Sequence, residues 1–540
     1  MWVLCVVTLG YAVERHKFKS CHDASFCERN RRDSHGPYVV LADTLETNLT
    51  RVTFQVSNQE FPKQKHVRFT VDLLVNDVVR VRANEIDPLH PRFELVDILE
   101  KPAIASITSP VSSAFRGKDA FQLQWENKLV LIEFNPLRIH YEVNSNRVLS
   151  FNSKDLFNFE VYRQKVEAAA PKVDVDPVPS EQPVEISEKT SHSSEEASQQ
   201  QAQVGITADQ PTAGYDPQEF PETSPGMWEE TFGGSKDSKT KGPASFGADI
   251  HFHNTKYIFG LPEHASRFAL QNTKGAGSHF SNPYRLYNLD VFRYELNEPM
   301  ALYGSIPFIL GHNPKYSSGI YWNNAAETFV DVFELTSDIK DRVSHFMSES
   351  GILDLFLFVG SNPKQIVDKY TFLTGRPQLP QLFSIAYHQC RWNYNDEADV
   401  DGVDKGFDQH AIPYDVLWLD IEHTDGKKYF TWDSQKFPNP VAMQERLQAK
   451  KRKMVTIIDP HIKRDQGYKV HKEAQEKGYY VKTSSGSDFE GHCWPGSSGY
   501  LDFLNPEVQA FWAQQFKFDS YIGSTASLYT WNDMNEVLWK

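Results

Sequence analysis

The chain has 540 residues, too long for one ordinary domain, and its length predicts two to four domains. Hydrophobic residues make up 40% of it and aromatic residues 13%, which is typical of globular domains with flat apolar surfaces to offer to a ligand such as a sugar. A formal net charge of -15, without clusters of Lys and Arg, argues against a nucleic-acid partner.

The first twelve residues, MWVLCVVTLGYA, are apolar and end in small residues, so we predict a signal peptide over residues 1–12; a buried first strand is the alternative. No later run approaches the ~20 apolar residues of a membrane span, so we expect no membrane span. Cys21 and Cys27 stand close together in a polar loop as a plausible disulfide, and Asn48 begins a glycosylation sequon. We expect Cys390 and Cys493, far apart in sequence, to be two buried thiols.

Short alternating segments such as RVTFQV, VRFTVDLLV, FQLQW and KLVLIEF predict an antiparallel β-sandwich, whose first part spans residues 13–163. Residues 164–226 carry twelve Asp or Glu against three Lys, with Pro, Ser and Gln, and predict an acidic disordered insertion. Strand-like segments resume with KYIFGL, YRLYNLDVFRYEL, SIPFIL, SGIYW and LDLFLFVG, so the sandwich is expected to continue over residues 227–361.

The pattern changes within residues 362–540. After the helical stretch NPKQIVDKYTFLTG, apolar strands alternate with amphipathic helices: FSIAYHQ, DVLWLDI, KMVTIID and SLYTWND are separated by DEADVDGVDKGFDQ, PVAMQERLQAKKR and HKEAQEKG. Near-continuous apolar strands of this kind indicate a parallel sheet covered on both faces. We therefore predict the first half, strands one to four, of a (β/α)8 barrel.

Each predicted barrel strand ends in a polar or charged cluster: His388-Gln389, Asp420, Asp459 and Asp533. Active sites of (β/α)8 barrels form at the carboxyl ends of the strands, so a carboxylate that recurs there indicates catalysis or ligand binding. Asp533 lies where a barrel offers a nucleophile, and a helix N-cap or loop carboxylate is the alternative.

The strings WNDMNE, WLDIEHTDGKKYFTWD, HQCRWNYNDEADV, IIDPHIK, HCWPG, YRLYNLDVFRYEL, MWEETF and GLPEHA resemble glycoside hydrolase family 31. The resemblance runs from about Phe18 to Glu536, and it is most specific at WNDMNE. It implies an N-terminal β-sandwich, a barrel with inserted loops and C-terminal β domains. Within the family, the sequence is similar to members that act in the endoplasmic reticulum.

This resemblance implies a retaining exo-α-glucosidase of the endoplasmic reticulum lumen that trims inner α-1,3-linked glucose from N-linked glycans of new glycoproteins. Asp533 falls on the family's nucleophile, which attacks the anomeric carbon to form a covalent glycosyl-enzyme. The implied partners are the N-linked glycan and a regulatory β subunit, and no cofactor is implied. His423, Asp459 and His461 lie near predicted strand ends and are weaker candidates for sugar contact, with support of neighbouring site residues as the alternative. Their spacing fits no metal-ligand template.

Further residues are implied by the resemblance to bind the sugar. Asp420 matches a carboxylate that accepts hydrogen bonds from glucose hydroxyls, although a salt bridge with Arg391 or Lys428 is the alternative. The other implied substrate-binding residues, of which the aromatic ones taken singly are more often core residues, are Asp290, Phe292, Trp392, Leu417 and Trp494.

In the family the acid/base Asp lies well downstream of the nucleophile, and the given sequence ends at Lys540. We therefore expect a truncated chain with little or no turnover, because general acid catalysis contributes a large rate factor. One alternative is a non-catalytic product that binds glycan or the β subunit. Another is a family 31 α-glucosidase of different linkage specificity, which MWEETF and WLDIEHTDGKKYFTWD disfavour.

Overall fold

The structure, a computed structural model, describes residues 13–33, 36–107, 111–165, 225–275, 277–291, 293–335 and 341–535. Four predictions fall wholly or largely outside these ranges: the signal peptide, most of the acidic insertion, Phe292 and the final Glu536 of WNDMNE. The chain forms two compact units, one of Met1–Tyr287 with Phe292–Gly375 and one of Asn288–Val291 with Arg376–Lys540. No helix in the described ranges combines the length and the apolar character that crossing a membrane requires.

The first unit is built almost entirely of antiparallel strands. In chain order these are β1 Tyr38–Thr47, β2 Arg51–Asn58, β3 Val67–Leu74, β4 Val78–Glu85, β5 Ser113–Arg116, β6 Ala120–Trp125, β7 Lys128–Phe134, β8 Leu137–Val143, β9 Asn146–Phe151, β10 Asn158–Phe159, β11 Glu229–Phe232, β12 Ser235–Ser238, β13 Phe246–Phe252, β14 Tyr257–Gly260, β15 Tyr284–Leu286, β16 Phe308–His312, β17 Ser317–Trp322, β18 Thr328–Glu334, β19 Arg342–Ser348 and β20 Leu353–Gly360. Two helices accompany them, α1 Ser25–Asn30 and α2 Pro363–Thr374.

These strands form two large sheets and one hairpin. One sheet has the order β1-β2-β3-β4-β20-β17-β16-β14; the other runs β15-β18-β19-β13-β9-β8-β7-β6-β5, with β10 paired to β13; β11 and β12 form the hairpin. Alternate residues of strands such as β2 and β3 point into one shared core: Val52, Phe54 and Val56 meet Val67, Phe69 and Val71 there. The predicted strands in this part of the chain are thereby confirmed, with one exception.

The exception is YRLYNLDVFRYEL, which is a strand only over Tyr284–Leu286. The prediction of a longer strand is wrong because Asn288–Val291 leaves the sheet and groups with the second unit. Within that short segment Leu289 and Val291 are buried and Asp290 is half-buried. The boundary between the units also differs from the predicted 361/362, because α2 packs on β20 and β17 and ends before Gly375.

The second unit alternates strands and helices: β21 His388–Gln389, α3 Glu397–Gln409, β22 Val416–Leu419, α4 Pro440–Ala449, β23 Lys453–Ile457, β24 His461–Lys463, α5 Lys469–Glu476, β25 Glu490–Cys493, β26 Gly496–Tyr500, α6 Pro506–Gln515 and β27 Leu528–Trp531. The four strands β21-β22-β23-β27 form a parallel sheet in that order. This confirms the predicted barrel strands, although FSIAYHQ is extended only at His388–Gln389 and begins with a 3-10 turn over Leu382–Ile385.

Helix starts in this unit follow from local hydrogen bonds. Asp396 caps α3 by accepting the Asp399 N–H at 2.8 Å, and Asn505 caps α6 by accepting the Glu507 N–H at 2.9 Å. Pro440 and Pro506 open α4 and α6, where a proline's missing N–H costs nothing. Helix α6 and the antiparallel sheet β24-β26-β25, which lie in the connection between β23 and β27, are not predicted by the sequence pattern.

Candidate functional site

The candidate site lies at the carboxyl ends of the parallel strands of the second unit. In β22, Leu417 and Leu419 are fully buried in an apolar cluster with Val400 of α3 and Met443 of α4. Side chains alternate along a strand, so Trp418 points to the opposite face, and Asp420 follows it there. The resemblance implied Leu417 as a substrate-binding residue, but the structure puts it on the helix-covered face, away from Asp420.

The register of the sheet brings two tryptophans together on the face that carries Asp420. Trp418 is level with Val455, and Ile457 is level with Trp531 of β27. The rings of Trp418 and Trp531 lie 5.3 Å apart between centroids, with their planes at 60°. The Trp418 Nε1–H donates to His388 Nδ1 at 2.8 Å. His388 Nε2–H in turn donates to the Phe383 carbonyl oxygen at 3.0 Å. These contacts link β21, β22 and β27 close to their carboxyl ends.

Asp533 comes two residues after Trp531, the last residue of β27, and so lies just beyond the carboxyl end of that strand. It is half-buried, and the next residue, Met534, has a positive φ of 58°, so the backbone turns immediately behind it. The carboxylate therefore sits at the end of a strand, at the point where the chain leaves the sheet.

Asp420 is close enough to Asp533 for their charges to interact. Burial raises the pKa of Asp420, and the negative charges of Asp533 and Glu422 raise it further, against the lowering effect of the Ile421 N–H. That N–H donates to Asp420 Oδ1 at 2.7 Å and leaves the other carboxylate oxygen for a ligand. The predicted alternative, a salt bridge, is not formed with either candidate: Lys428 pairs with Asp425 at 2.8 Å, and Arg391 donates to Asn393.

His423 holds the backbone of Asp420. Its ring is fully buried, with Nδ1 2.8 Å from the Asp420 carbonyl oxygen and Nε2 3.1 Å from the Tyr521 hydroxyl. Burial lowers the pKa of His423 to about 4, so the ring is neutral and Nδ1–H donates to the carbonyl. His423 is thus positioned to support Asp420 and is removed from solvent.

Asp459 and His461 form a second buried group with Tyr429. The Tyr429 hydroxyl donates to Asp459 Oδ2 and lies 2.9 Å from His461 Nε2. Burial lowers the pKa of His461 to about 4, while burial and the charge of Asp459 raise the pKa of Tyr429. A neutral His461 therefore donates to a protonated Tyr429, which in turn donates to Asp459. Sequence reasoning missed Tyr429, because nothing local marks it as the partner of a residue 30 positions away.

The implied aromatic residues and the cysteines are placed as follows. Trp392 and Trp494 are 64% and 54% exposed, and Trp494 lies in the turn between β25 and β26. The expectation of two buried thiols is wrong: Cys390 is exposed and Cys493 is half-buried, because both belong to loops and short edge strands of the second unit. The structure joins Cys21 and Cys27 in a disulfide, with Cα atoms 5.3 Å apart.

Comparison with known families decides the affiliation. Residues 377–539 match the family described as "Glycosyl hydrolases family 31 TIM-barrel domain", and residues 68–331 match "Glycosyl hydrolase 31 N-terminal galactose mutarotase-like domain". The chain belongs to glycoside hydrolase family 31. The two matched domains also confirm the predicted fold class, a β-sandwich followed by barrel strands.

Two curated family 31 relatives illustrate the similarity. The chain is 41% identical to "Neutral alpha-glucosidase AB" of Dictyostelium discoideum over 99% of its length, and 41% identical to the Homo sapiens protein of the same name over 97%. It covers 56% and 54% of those two proteins, so it spans about half the length of the curated relatives that it matches.

Solved family 31 structures agree. A crystal structure of a glucosidase II alpha subunit, described as DNJ-bound, has a TM-score of 0.80 at 34% identity, over 97% of this chain and 55% of that one. A second, titled as an ER glucosidase II complex of the catalytic subunit and the binding domain of the regulatory subunit, also has a TM-score of 0.80 at 34% identity; the match covers 96% of this chain and 55% of that one. A Flavobacterium johnsoniae GH31 dextranase has a TM-score of 0.59 at 18% identity, which shows the shared fold alone.

Proposed function

We propose that the protein is a retaining exo-α-glucosidase that removes terminal α-linked glucose, with Asp533 as the nucleophile. The observation that carries the proposal is the pair of carboxylates that follow β22 and β27, the two strands flanking β23: the charges of Asp420 and Asp533 interact. In a retaining glycosidase a carboxylate attacks the anomeric carbon as the leaving oxygen takes a proton from a second acid, and water then hydrolyses the glycosyl-enzyme.

The environments of the two carboxylates favour different roles. Asp533 is half-buried and lies just beyond a strand, where the chain turns at Met534. Asp420 differs, because one of its oxygens accepts a hydrogen bond from the Ile421 N–H. Asp420 is held by that bond and by His423 behind it, which suits a residue that orients sugar hydroxyls. A charged acceptor binds hydroxyls more strongly than a neutral one and so fixes the ring.

The aromatic residues supply the remaining contact. A pyranose presents C–H groups on its faces and hydroxyls around its edge, so an indole covers a face while carboxylates bind the edge. The exposed Trp392 and Trp494, together with Phe292, are proposed to cover the face of the sugar. Asp290, whose segment groups with the second unit, is proposed to bind hydroxyls at its edge. No role in sugar binding is proposed for Leu417.

The substrate is proposed to be the inner α-1,3-linked glucose of N-linked glycans, in the endoplasmic reticulum lumen, with a regulatory β subunit as partner. The support is the similarity to relatives named as glucosidase II and to a solved heterodimer of that enzyme. The Cys21–Cys27 disulfide suits an oxidising compartment, and Asn48 is exposed in the turn between β1 and β2, where a glycan would meet no obstruction.

The test uses α-glucosyl fluoride, because fluoride leaves without protonation and the result does not depend on which residue is the acid. The wild type should release fluoride from it even where turnover of glycosides that need a general acid is low, and Asp533→Ala should lose this activity by about 10⁴-fold or more. Azide added to Asp533→Ala should attack C1 from the vacated side and release β-glucosyl azide and fluoride. The matched control is Asp519→Ala, an exposed carboxylate that should leave hydrolysis unchanged. If Asp533→Ala retains wild-type activity, the proposal is overturned.

A further inference from the structure

A cluster of imidazole and carboxylate groups lies in the first unit, outside the candidate active site. Strand β13 ends at Phe252, so the sequence His251-Phe252-His253 puts two imidazoles on one face while Phe252 points into the core. The two rings stack, with centroids 3.7 Å apart and planes at 21°. Asp341 immediately precedes β19, the neighbour of β13, and Arg342 is paired with Phe252. The fold therefore brings Asp341 beside both histidines.

The three side chains converge on one point. His251 Nε2 lies 2.8 Å from Asp341 Oδ2, and His253 Nδ1 lies 4.0 Å from the same oxygen. One donor atom from each residue lies within 4.8 Å of the others. Among the described residues, no other three His, Cys, Asp or Glu side chains come this close together. His251 and Asp341 are buried and His253 is half-buried, so the group is held by the sheet.

A chain of polar contacts holds the His253 ring on its far side. His253 Nε2 lies 2.8 Å from the Ser150 hydroxyl oxygen, and that oxygen lies 2.7 Å from His140 Nδ1. His140 Nε2 is in turn 3.2 Å from a carboxylate oxygen of Glu133. Nδ1 is therefore the nitrogen that His253 presents to Asp341.

His253 Nδ1 thus faces the Asp341 carboxylate across 4.0 Å. A cation placed between a ring nitrogen and a carboxylate oxygen is attracted by both. Asp341 is itself held in place, because its Oδ1 accepts the Asn254 N–H at 2.6 Å and Oδ2 alone faces the histidines. Metal-binding histidines and carboxylates characteristically have their second atom fixed by such an outer hydrogen bond.

We infer that His251 Nε2, His253 Nδ1 and Asp341 Oδ2 bind a divalent transition-metal ion, with Zn²⁺ as the best match to two imidazoles and one carboxylate. Three protein ligands leave a fourth tetrahedral position for water. When the ion binds, the proton that His251 Nε2 shares with Asp341 moves to His251 Nδ1 through solvent, so no net proton is released by that ring. The ion would join the end of β13 to the start of β19 and takes no part in glycoside hydrolysis.

The experiment measures Zn²⁺ binding to the full chain, with no histidine tag and with the thiols of Cys390 and Cys493 alkylated so that they cannot compete. After dialysis against a chelator and then buffer, titration with Zn²⁺ alone should show one site per chain with a Kd in the micromolar range or below. Asp341→Asn and His253→Gln should each weaken that binding by at least about tenfold. Co²⁺ at the same site should give the visible absorption of a tetrahedral ion, which both substitutions should abolish.

Two controls make the result decisive. His312→Gln removes a histidine of β16 that bonds only to Ser317 within its own hairpin, at 2.9 Å, and should leave Zn²⁺ binding unchanged. Thermal unfolding with chelator present should show that the Asp341→Asn and His253→Gln chains are folded without metal. The inference is overturned if the wild type binds no Zn²⁺, or if both substituted chains bind it as tightly as the wild type.

Discussion

Trp418 and Trp531 pack with ring centroids 5.3 Å apart, although 113 positions separate them in the sequence. The contact follows from register: β22 and β27 both pair in parallel with β23, and the two rings stand on one face of that sheet. Each tryptophan is two residues from a carboxylate, Asp420 in one strand and Asp533 in the other. The aromatic pair therefore lies close in sequence to both carboxylates.

The first prediction concerns the hydrogen bond from Trp418 to His388. Trp418→Phe keeps most of the aromatic contact but removes the Nε1–H, which leaves His388 Nδ1 without the donor it has at 2.8 Å. We expect the free energy of unfolding to fall by about 1 kcal/mol, the usual net value of one hydrogen bond. Denaturant unfolding followed by fluorescence measures it. Trp392→Phe, at an exposed indole, is the control and should change stability little; equal losses in the two variants would contradict the prediction.

A second prediction concerns the buried group of Tyr429, Asp459 and His461. Tyr429→Phe removes the hydroxyl that donates to Asp459, leaving a fully buried carboxylate with one donor fewer. Because a buried charged group loses more from the removal of a donor than a neutral group does, we expect a loss of about 3 kcal/mol in the free energy of unfolding. The matched control is Tyr468→Phe, whose hydroxyl donates to the Tyr429 carbonyl at 2.9 Å and should cost about 1 kcal/mol. Denaturant titration of both variants decides, and a smaller loss for Tyr429→Phe would be the contrary outcome.

The pH dependence of stability tests the charge interaction at the strand ends. Burial and the charge of Asp533 raise the pKa of Asp420 above its value in the unfolded chain. A carboxyl with a raised folded-state pKa favours folding at pH below its unfolded pKa and loses that contribution as pH rises through the folded pKa. Asp420→Asn should therefore unfold at a higher temperature than the wild type at about pH 8, with the difference shrinking towards about pH 4.5.

Because Asp420 is half-exposed, the stabilisation should stay below about 1 kcal/mol. The comparison variant is Asp425→Asn, which breaks the ion pair with Lys428 and should stabilise the chain at neither pH. Differential scanning calorimetry at the two pH values provides the readout. A difference between Asp420→Asn and wild type that grows as pH falls would show that the pKa of Asp420 is not raised in the folded chain.

Exposed indoles give a fourth prediction, which depends on the proposed function. Trp392→Ala and Trp494→Ala should each weaken binding of a glucose-mimicking inhibitor by about fivefold, the loss of about 1 kcal/mol of aromatic contact, and leave the unfolding temperature unchanged. Phe268→Ala removes an aromatic ring that is 85% exposed in the first unit and serves as the control. Isothermal titration calorimetry with the inhibitor measures all three. Unchanged affinity in both tryptophan variants would remove these residues from the proposed sugar site.

Sequence reasoning reached the strand ends because apolar runs such as VLWLD and KMVTIID are mostly buried and end in carboxylates. It failed where the decisive information was not local. The face of Leu417 depends on which side α3 and α4 cover, and the partner of Asp459 lies in a loop 30 residues away. The strands β25 and β26 are too short and glycine-containing to show a periodic pattern, and they form only because they pair with each other and with β24.

The same limit applies to the first unit. The alternation of β2 and β3 is clear in the sequence, but YRLYNLDVFRYEL shows a similar pattern and is a strand over only three residues. The segment Asn288–Val291 belongs to the second unit. The strand propensities of Leu289 and Val291 do not predict this. The proximity of His251 and His253 can be read from a strand period of two, whereas Asp341 joins them only through the pairing of β13 with β19.

The central claim, that Asp533 is the nucleophile, is tested most directly by trapping the covalent intermediate. In 5-fluoro-α-glucosyl fluoride the leaving fluoride needs no acid, and the fluorine at C5 slows hydrolysis of the glycosyl-enzyme by destabilising the oxocarbenium-like transition state. Peptide mass spectrometry of the treated protein should find the fluoroglucosyl group on the carboxylate of Asp533, and Asp533→Asn should take up no label. A label on Asp420 or on any other residue, or its persistence in Asp533→Asn, would contradict the account.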